Sequence, residues 1–130
     1  MGLLASEAEA EIRRHASESY PHECCGALIA SNGTIVEAFR LPNTTPAGAR
    51  RRFRIGPDDY RLAEARARER QGQLAGFYHS HPDHPARPSE HDLAQAWPNM
   101  TYIIVAVNGG TPGELTSWRL LEDRSGFEEI

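Results

Sequence analysis

The chain has 130 residues, of which 39% are hydrophobic and 25% charged, and its formal net charge is −4. That length fits one domain over residues 1–130 with a core that needs no staple, and the composition excludes a disordered or membrane class. The acidic balance argues against a nucleic-acid binder, whose electrostatic footprint is a basic surface.

Ser6 to Tyr20 reads as a helix: Ser6 and Glu9 make a capping-box pattern, and Ala8, Ile12 and Ala16 recur at i+4 spacing as one apolar stripe. Pro21 ends it. The apolar run Gly26 to Ala30 is expected to be a buried strand, and the Ser31-Asn32-Gly33 turn leads into a second strand, Thr34 to Phe39, completing a hairpin. Leu41 to Ala49, with Pro42, Asn43, Pro46 and Gly48, reads as a loop, and Arg52 to Ile55 as a third strand. Gly56-Pro57-Asp58 opens a second helix with Tyr60, Ala63 and Ala67 on one face, closing near Gly72. Leu74 to His79 is a strand that delivers two histidines at its end, before a Pro-rich loop from Pro82 to Pro88. Ser89 is the expected N-cap of a short helix carrying Asp92, stopped by Pro98 and Asn99. Tyr102 to Val107 is a β-branched central strand, and Thr116, Trp118 and Leu120 alternate on one face of a final strand. Asn108-Gly109-Gly110 and Pro112-Gly113 supply the turn between them. The sum is an α+β domain, a mixed β-sheet flanked by helices.

The chemistry concentrates at His79-Ser80-His81-Pro82, followed after six residues by Ser89 and three positions on by Asp92. In an extended segment His79 and His81 point to one side, because side chains alternate with period two. With Ser89 as N-cap, Asp92 falls at N3, so hydroxyl and carboxylate share the first helical turn. Two imidazole nitrogens and one carboxylate oxygen suit Zn²⁺ and leave a fourth position for water, the layout of a catalytic rather than a structural zinc. Bound zinc lowers the pKa of its water from 15.7 to about 7 and polarises a carbonyl. Such a site still needs a proton carrier, and Glu23, between a helix end and a buried strand, is the candidate, since partial desolvation raises its pKa toward usefulness. Ser89 Oγ is placed to donate to the oxyanion of a tetrahedral intermediate.

Glu23, His79-Ser80-His81-Pro82, Ser89 and Asp92 together resemble the motif of the JAMM (MPN+) zinc metallopeptidases at every position, and Pro21-His22-Glu23-Cys24-Cys25-Gly26 and Gly76-Phe77-Tyr78-His79 are similar to that family too. The resemblance covers almost the whole chain. It implies the JAMM/MPN fold, a cytidine-deaminase-like architecture, with one Zn²⁺ per chain held by His79, His81 and Asp92, catalysis by Glu23, and oxyanion support from Ser89. Within the family the chain looks like the minimal prokaryotic type, because only Leu93 to Met100 separates Asp92 from the next strand where ubiquitin-chain-cutting members carry insertions. Minimal members act on ubiquitin-like sulfur-carrier proteins. The resemblance therefore implies hydrolysis of the amide bond after the C-terminal Gly-Gly of such a carrier, releasing cysteine or a short tail. It leaves open an isopeptidase that removes a ubiquitin-like modifier from Lys, a non-catalytic MPN-type binding domain, and a homodimer.

Other residues have plainer readings. His84 and His91 are runner-up ligands that read as solvated loop or helix residues, and His22 falls outside the metal shell. Cys24 and Cys25 are adjacent, a spacing at which a disulfide is strained, and read as reduced, buried packing groups. That agrees with a reducing compartment. The longest apolar run, Tyr102 to Val107, is too short to span a bilayer, and the N-terminus shows no secretory signal, so no membrane association and a cytoplasmic location are expected. Arg50, Arg51, Arg52 and Arg54 form a basic run that reads as a solvated strand and loop, or as a dock for an acidic partner. Trp97 and Trp118 read as core or edge packing rather than as a substrate platform. A nucleobase deaminase would need a downstream P-C-x-x-C, which the chain lacks.

Overall fold

A seven-stranded mixed sheet organises residues 3–43 and 53–130, the part of the chain described by the computed structural model. The elements run β1 (Leu3–Leu4), α1 (Ser6–Ser19), β2 (Cys25–Ser31), β3 (Thr34–Leu41), α2 (Pro57–Glu69), β4 (Gln73–Pro82), α3 (Glu90–Gln95), β5 (Thr101–Asn108), β6 (Thr111–Leu120) and β7 (Phe127–Glu129). Across the sheet the order is β1-β3-β2-β4-β5-β6-β7. The β1–β3 and β4–β5 pairs are parallel and the others antiparallel. None of the helices described is long and apolar enough to cross a membrane.

Strand alternation separates two apolar layers. Cys25, Ala27, Ile29, Phe77, Tyr102 and Ile104 face one side, with Ala63 and Ala67 of α2 packed on them. Leu28, Tyr78, Ile103, Val105 and Val107 face the other, covered by the Ala8, Ile12 and Ala16 stripe of α1. Burying such stripes removes apolar surface from water, the main favourable term in folding. Period two on β4 therefore puts His79 and His81 in the α2 layer and Tyr78 and Ser80 in the α1 layer.

Several expectations need correcting. The cap of α1 is Ala5, with no side-chain bond, rather than a Ser6–Glu9 box. Leu3 and Leu4 pair with β3, and Ala5 N–H donates to the Ile35 carbonyl, so sheet pairing holds the entry to the helix. Glu9 is instead paired with Arg13 at 3.0 Å. Phe53 to Ile55 forms no strand. Both sides of β2 are already occupied, so Phe53 and Ile55 enter the α2-side core as irregular chain; Arg52 lies outside the described residues. β4 does not stop at His79 but runs to Pro82, because β5 continues alongside to Val107. Pro112 and Gly113 belong to β6, and the turn is made by Gly109 and Gly110 at φ 57 and 88. β1 and β7 are too short to give a periodic signal in the sequence.

Two glycines allow the site-bearing strand to seat. A Cβ at Gly76 would lie 1.7 Å from the Thr101 carbonyl oxygen, and one at Gly26 would lie 2.2 Å from the buried Tyr78 ring. The first contact is with backbone at the start of the β4–β5 pairing and cannot swing away. Gly76→Ala is accordingly expected to lose about 4 kcal/mol or more of stability, the range of core disruptions, or to fail to fold. Urea unfolding of the purified variant measures it; a loss under about 1 kcal/mol would show that the strands part freely there.

Candidate metal centre

Three separate segments converge on the α2 side of β4. β2 pairs with β4 so that Cys25 stands opposite His79, and Glu23, two residues before Cys25, arrives beside the histidines. The start of α3 supplies Ser89, its N-cap, and Asp92, in its first turn: Asp92 N–H donates to Ser89 Oγ at 3.0 Å and Ser89 N–H donates to Asp92 Oδ2 at 2.9 Å, a reciprocal capping box. The intervening loop is tied down from β6, where Thr116 Oγ donates to the Ala86 carbonyl at 2.6 Å and Trp118 Nε1 donates to Thr116 Oγ at 2.7 Å. Asp83, at φ 59, closes the end of β4: its carboxylate accepts from Tyr20 Oη and from Gly109 N–H.

His79 and His81 are each 1% exposed, Glu23 4% and Asp92 6%. His79 Nε2 and His81 Nε2 are 3.2 Å apart, and Asp92 Oδ2 lies 3.1 Å from each. The three atoms form a nearly equilateral triangle. Tetrahedral ligands on Zn²⁺ at 2.0–2.1 Å stand about 3.3 Å from one another, so these three fit one ion with little rearrangement. His81 Nδ1–H donates to the Pro85 carbonyl at 2.8 Å, which leaves Nε2 with its lone pair directed into the triangle. Converging lone pairs and a carboxylate repel one another unless a cation or a proton lies between them. Glu23 also belongs to the cluster, its carboxylate oxygen and the two imidazole nitrogens all lying within 4.8 Å of one another.

Glu23 Oε1 and His79 Nδ1 are buried with no hydrogen-bond partner among the described residues. Burial first, and then the negative charge of Asp92, push the Glu23 carboxyl up to about 9. Burial pushes His79 down, against the opposing pull of the Asp92 carboxylate beside it. Burial opposes ionisation of Asp92, yet His79 and His81, when a proton lies between ring and carboxylate, together with the Ser89 amide, outweigh it and hold the carboxyl below the usual range. Because the folded pKa of Glu23 lies above its ordinary value of 4.5, its contribution to stability is full below pH 4.5 and is lost as pH rises through about 9. The metal-free chain is thus expected to weaken over that window, and Glu23→Gln to remove that part of the slope. Urea unfolding of chelator-treated protein at pH 5 and pH 9 checks it; parallel slopes in the two proteins would contradict it.

All five predicted residues meet here. Ser89 Oγ accepts the Asp92 amide, and its own proton goes to no acceptor among the described residues. His84 is not merely solvated: it is half-buried and stacks on His81 at 4.1 Å, its Nδ1 donating to the Pro82 carbonyl. His91 bonds the Phe53 carbonyl, and His22 does not join the metal cluster. Cys24 and Cys25 are buried free thiols with pKa values raised by burial. Of the basic run only Arg54 lies among the described residues. Phe53 stacks on His79 at 4.3 Å and 23°, a contact that no motif or spacing in the sequence singles out. A single aromatic residue in an arginine run was the available signal.

A family model described as prokaryotic homologs of the JAB domain matches residues 5–121. The desampylase of Haloferax volcanii is 34% identical over 113 residues, covering 82% of this chain and 81% of that protein. A probable TtuB-protein conjugate cleaving protease of Thermus thermophilus is 34% identical over 101 residues, 76% of this chain and 66% of that one. The CysO-cysteine peptidase of Mycobacterium tuberculosis is 28% identical over 110 residues, 83% and 75% of the two chains. The match to tail tip assembly protein K of Escherichia phage N15, 37% identical over 84 residues, takes in 65% of this chain and spans about a third, 32%, of that longer protein. Among solved structures, a Salinibacter ruber protein is 39% identical with a TM-score of 0.75, covering 98% of this chain and 88% of the other. A JAB1/MPN domain protein from Archaeoglobus fulgidus, 22% identical, shares the fold with a TM-score of 0.64 over 98% and 94% of the two chains. The fold is thus of JAMM/MPN type, and with nearly the whole length matched, the chain belongs to the prokaryotic JAB-domain family.

Proposed function

We propose that the protein is a zinc-dependent hydrolase that cleaves the amide bond after the C-terminal Gly-Gly of a ubiquitin-like sulfur-carrier protein. The observation that carries the reading is the buried triangle of His79, His81 and Asp92 with Glu23 beside it. His79, His81 and Asp92 would hold the ion, which when bound supplies an acidified water and polarises the scissile carbonyl. Glu23 takes the proton of the attacking water and passes it to the leaving amine, so that no proton is left over. The nearby cation would pull the Glu23 pKa down from about 9 toward neutrality, where a proton carrier works best. Ser89 Oγ donates to the oxyanion as the carbonyl carbon becomes tetrahedral, a contribution of roughly 3 kcal/mol in other hydrolases.

The relative named as a CysO-cysteine peptidase supports release of a C-terminal adduct. The relative named for cleaving TtuB-protein conjugates supports a second reading, an isopeptidase acting on Lys conjugates of a ubiquitin-like protein. The same catalytic groups serve both, and the difference lies in how the leaving amine is recognised. Zinc-loaded protein incubated with a carrier extended beyond Gly-Gly by cysteine or a short tail is expected to yield a carrier ending in Gly-Gly, with a chelator stopping the reaction. An intact extended carrier beside a cleaved Lys conjugate would favour the second reading. Failure on both would remove the proposal.

A further inference from the structure

The peptide unit that joins Glu23 to Cys24 lies outside the sheet ladder and is gripped at both ends by side chains. Pairing of β2 with β4 begins at Cys25 opposite His79. One step further out, Ser80 N–H still donates to the Cys24 carbonyl at 3.1 Å, as a ladder requires. An antiparallel pair would return the second bond to the Ser80 carbonyl. Instead Cys24 N–H donates to the hydroxyl, Ser80 Oγ, at 2.9 Å. The other end of the same peptide unit, the Glu23 carbonyl, accepts from Asn43 Nδ2 at 3.1 Å. Asn43 stands just past β3, and its Oδ1 accepts Arg54 N–H at 3.1 Å.

Among the described residues nothing comparable fixes the far end of Glu23, whose Oε1 has no hydrogen-bond partner there. A group that must accept a proton and release it again is hampered by a permanent hydrogen bond to one of its two states. Its aim has to come from the backbone. Ser80 is fully buried on the α1 side of β4, among Tyr78 and Cys24, so its side chain points away from the triangle. We infer that Ser80 and Asn43 are positioning residues that orient the Glu23–Cys24 peptide and thereby set where the Glu23 carboxylate stands over His79, His81 and Asp92. This rests on the reading of Glu23 as the proton carrier.

The test compares zinc-loaded wild type, Ser80→Ala, Ser80→Thr, Asn43→Ala, Glu23→Gln and the Ser80→Ala/Glu23→Gln double variant on the extended carrier. Displacing a catalytic group by about 1 Å costs up to about a hundredfold in rate. Ser80→Ala and Asn43→Ala are expected to lower kcat about ten- to a hundredfold, with zinc content unchanged and KM within about twofold. Ser80→Thr, which keeps the hydroxyl, should restore kcat to within about threefold. On the Glu23→Gln background, Ser80→Ala should change nothing further, because the group it aims is gone. In the metal-free chain, amide hydrogen exchange at Cys24 should accelerate in Ser80→Ala and not in Ser80→Thr. Where Ser80→Ala does not fold, Asn43→Ala at the half-buried end of the same peptide carries the same comparison. Wild-type kcat in the Ala variants, or an equal loss on both backgrounds, overturns the clamp while leaving an inactive Glu23→Gln to support the proton carrier. Full turnover in Glu23→Gln overturns both.

Discussion

Glu23→Gln is expected to lower kcat by about 10²- to 10⁴-fold, the usual size of general acid–base catalysis, while the protein keeps its zinc. The amide preserves the shape of the buried side chain and removes its capacity to take a proton. Retention of zinc is the informative half of the result, since the carboxylate stands in the same cluster as the two imidazoles. If Glu23 were itself a ligand, the substitution would empty the site and the loss of turnover would carry no meaning for proton transfer. Asp92 Oδ2 at 3.1 Å from both imidazole nitrogens is the closer match to a third ligand. Elemental analysis beside single-turnover kinetics separates the two cases: a zinc-free Glu23→Gln would reassign the carboxylate, and a zinc-loaded, fully active one would remove its catalytic role.

Asp92→Ala should lose both the metal and the reaction. It removes one corner of the triangle, the only negative charge among its three atoms, and half of the capping box that starts α3. A ligand that binds only the folded state stabilises it by RT ln(1 + [L]/Kd), about 2.7 kcal/mol at a hundredfold excess over Kd. Zinc should therefore raise the Tm of the wild type and leave that of Asp92→Ala unmoved, with turnover at background. Asp92→Asn keeps a capping oxygen and so separates the loss of the helix start from the loss of the ligand. A zinc-dependent Tm shift surviving in Asp92→Ala would mean that the ion is held by another set. Removal of the Asp92 charge should also lower the Glu23 pKa, since that charge is its second cause of elevation.

Much of the fold was visible from local pattern, and where the pattern failed the reason was pairing between distant segments. The α1 stripe of Ala8, Ile12 and Ala16 is buried as its spacing implied, because a helix repeats its face every three or four residues whatever it packs on. The expected strand at Phe53 to Ile55 failed because alternation reports that residues are buried and not whether a neighbouring strand has an edge to offer. The Ser6 cap failed for a similar reason, β1 having pinned the residue before it.

Within the site the same division holds. The one-residue gap between His79 and His81 and the three-residue step from Ser89 to Asp92 are short enough that backbone geometry alone sets their partners: one face of a strand, one turn of a helix. Those spacings could be read directly from the chain. The approach of Glu23 to the histidines, the stacking of Phe53 on His79, and the grip of Ser80 and Asn43 on one peptide unit join residues far apart in the chain. They depend on β2 meeting β4 with Cys25 opposite His79. A slip of that register by one residue would turn Glu23 to the other face of the sheet, and nothing in the local sequence around Glu23 specifies it. Register is chosen by the burial of both apolar layers at once, a property of the folded whole.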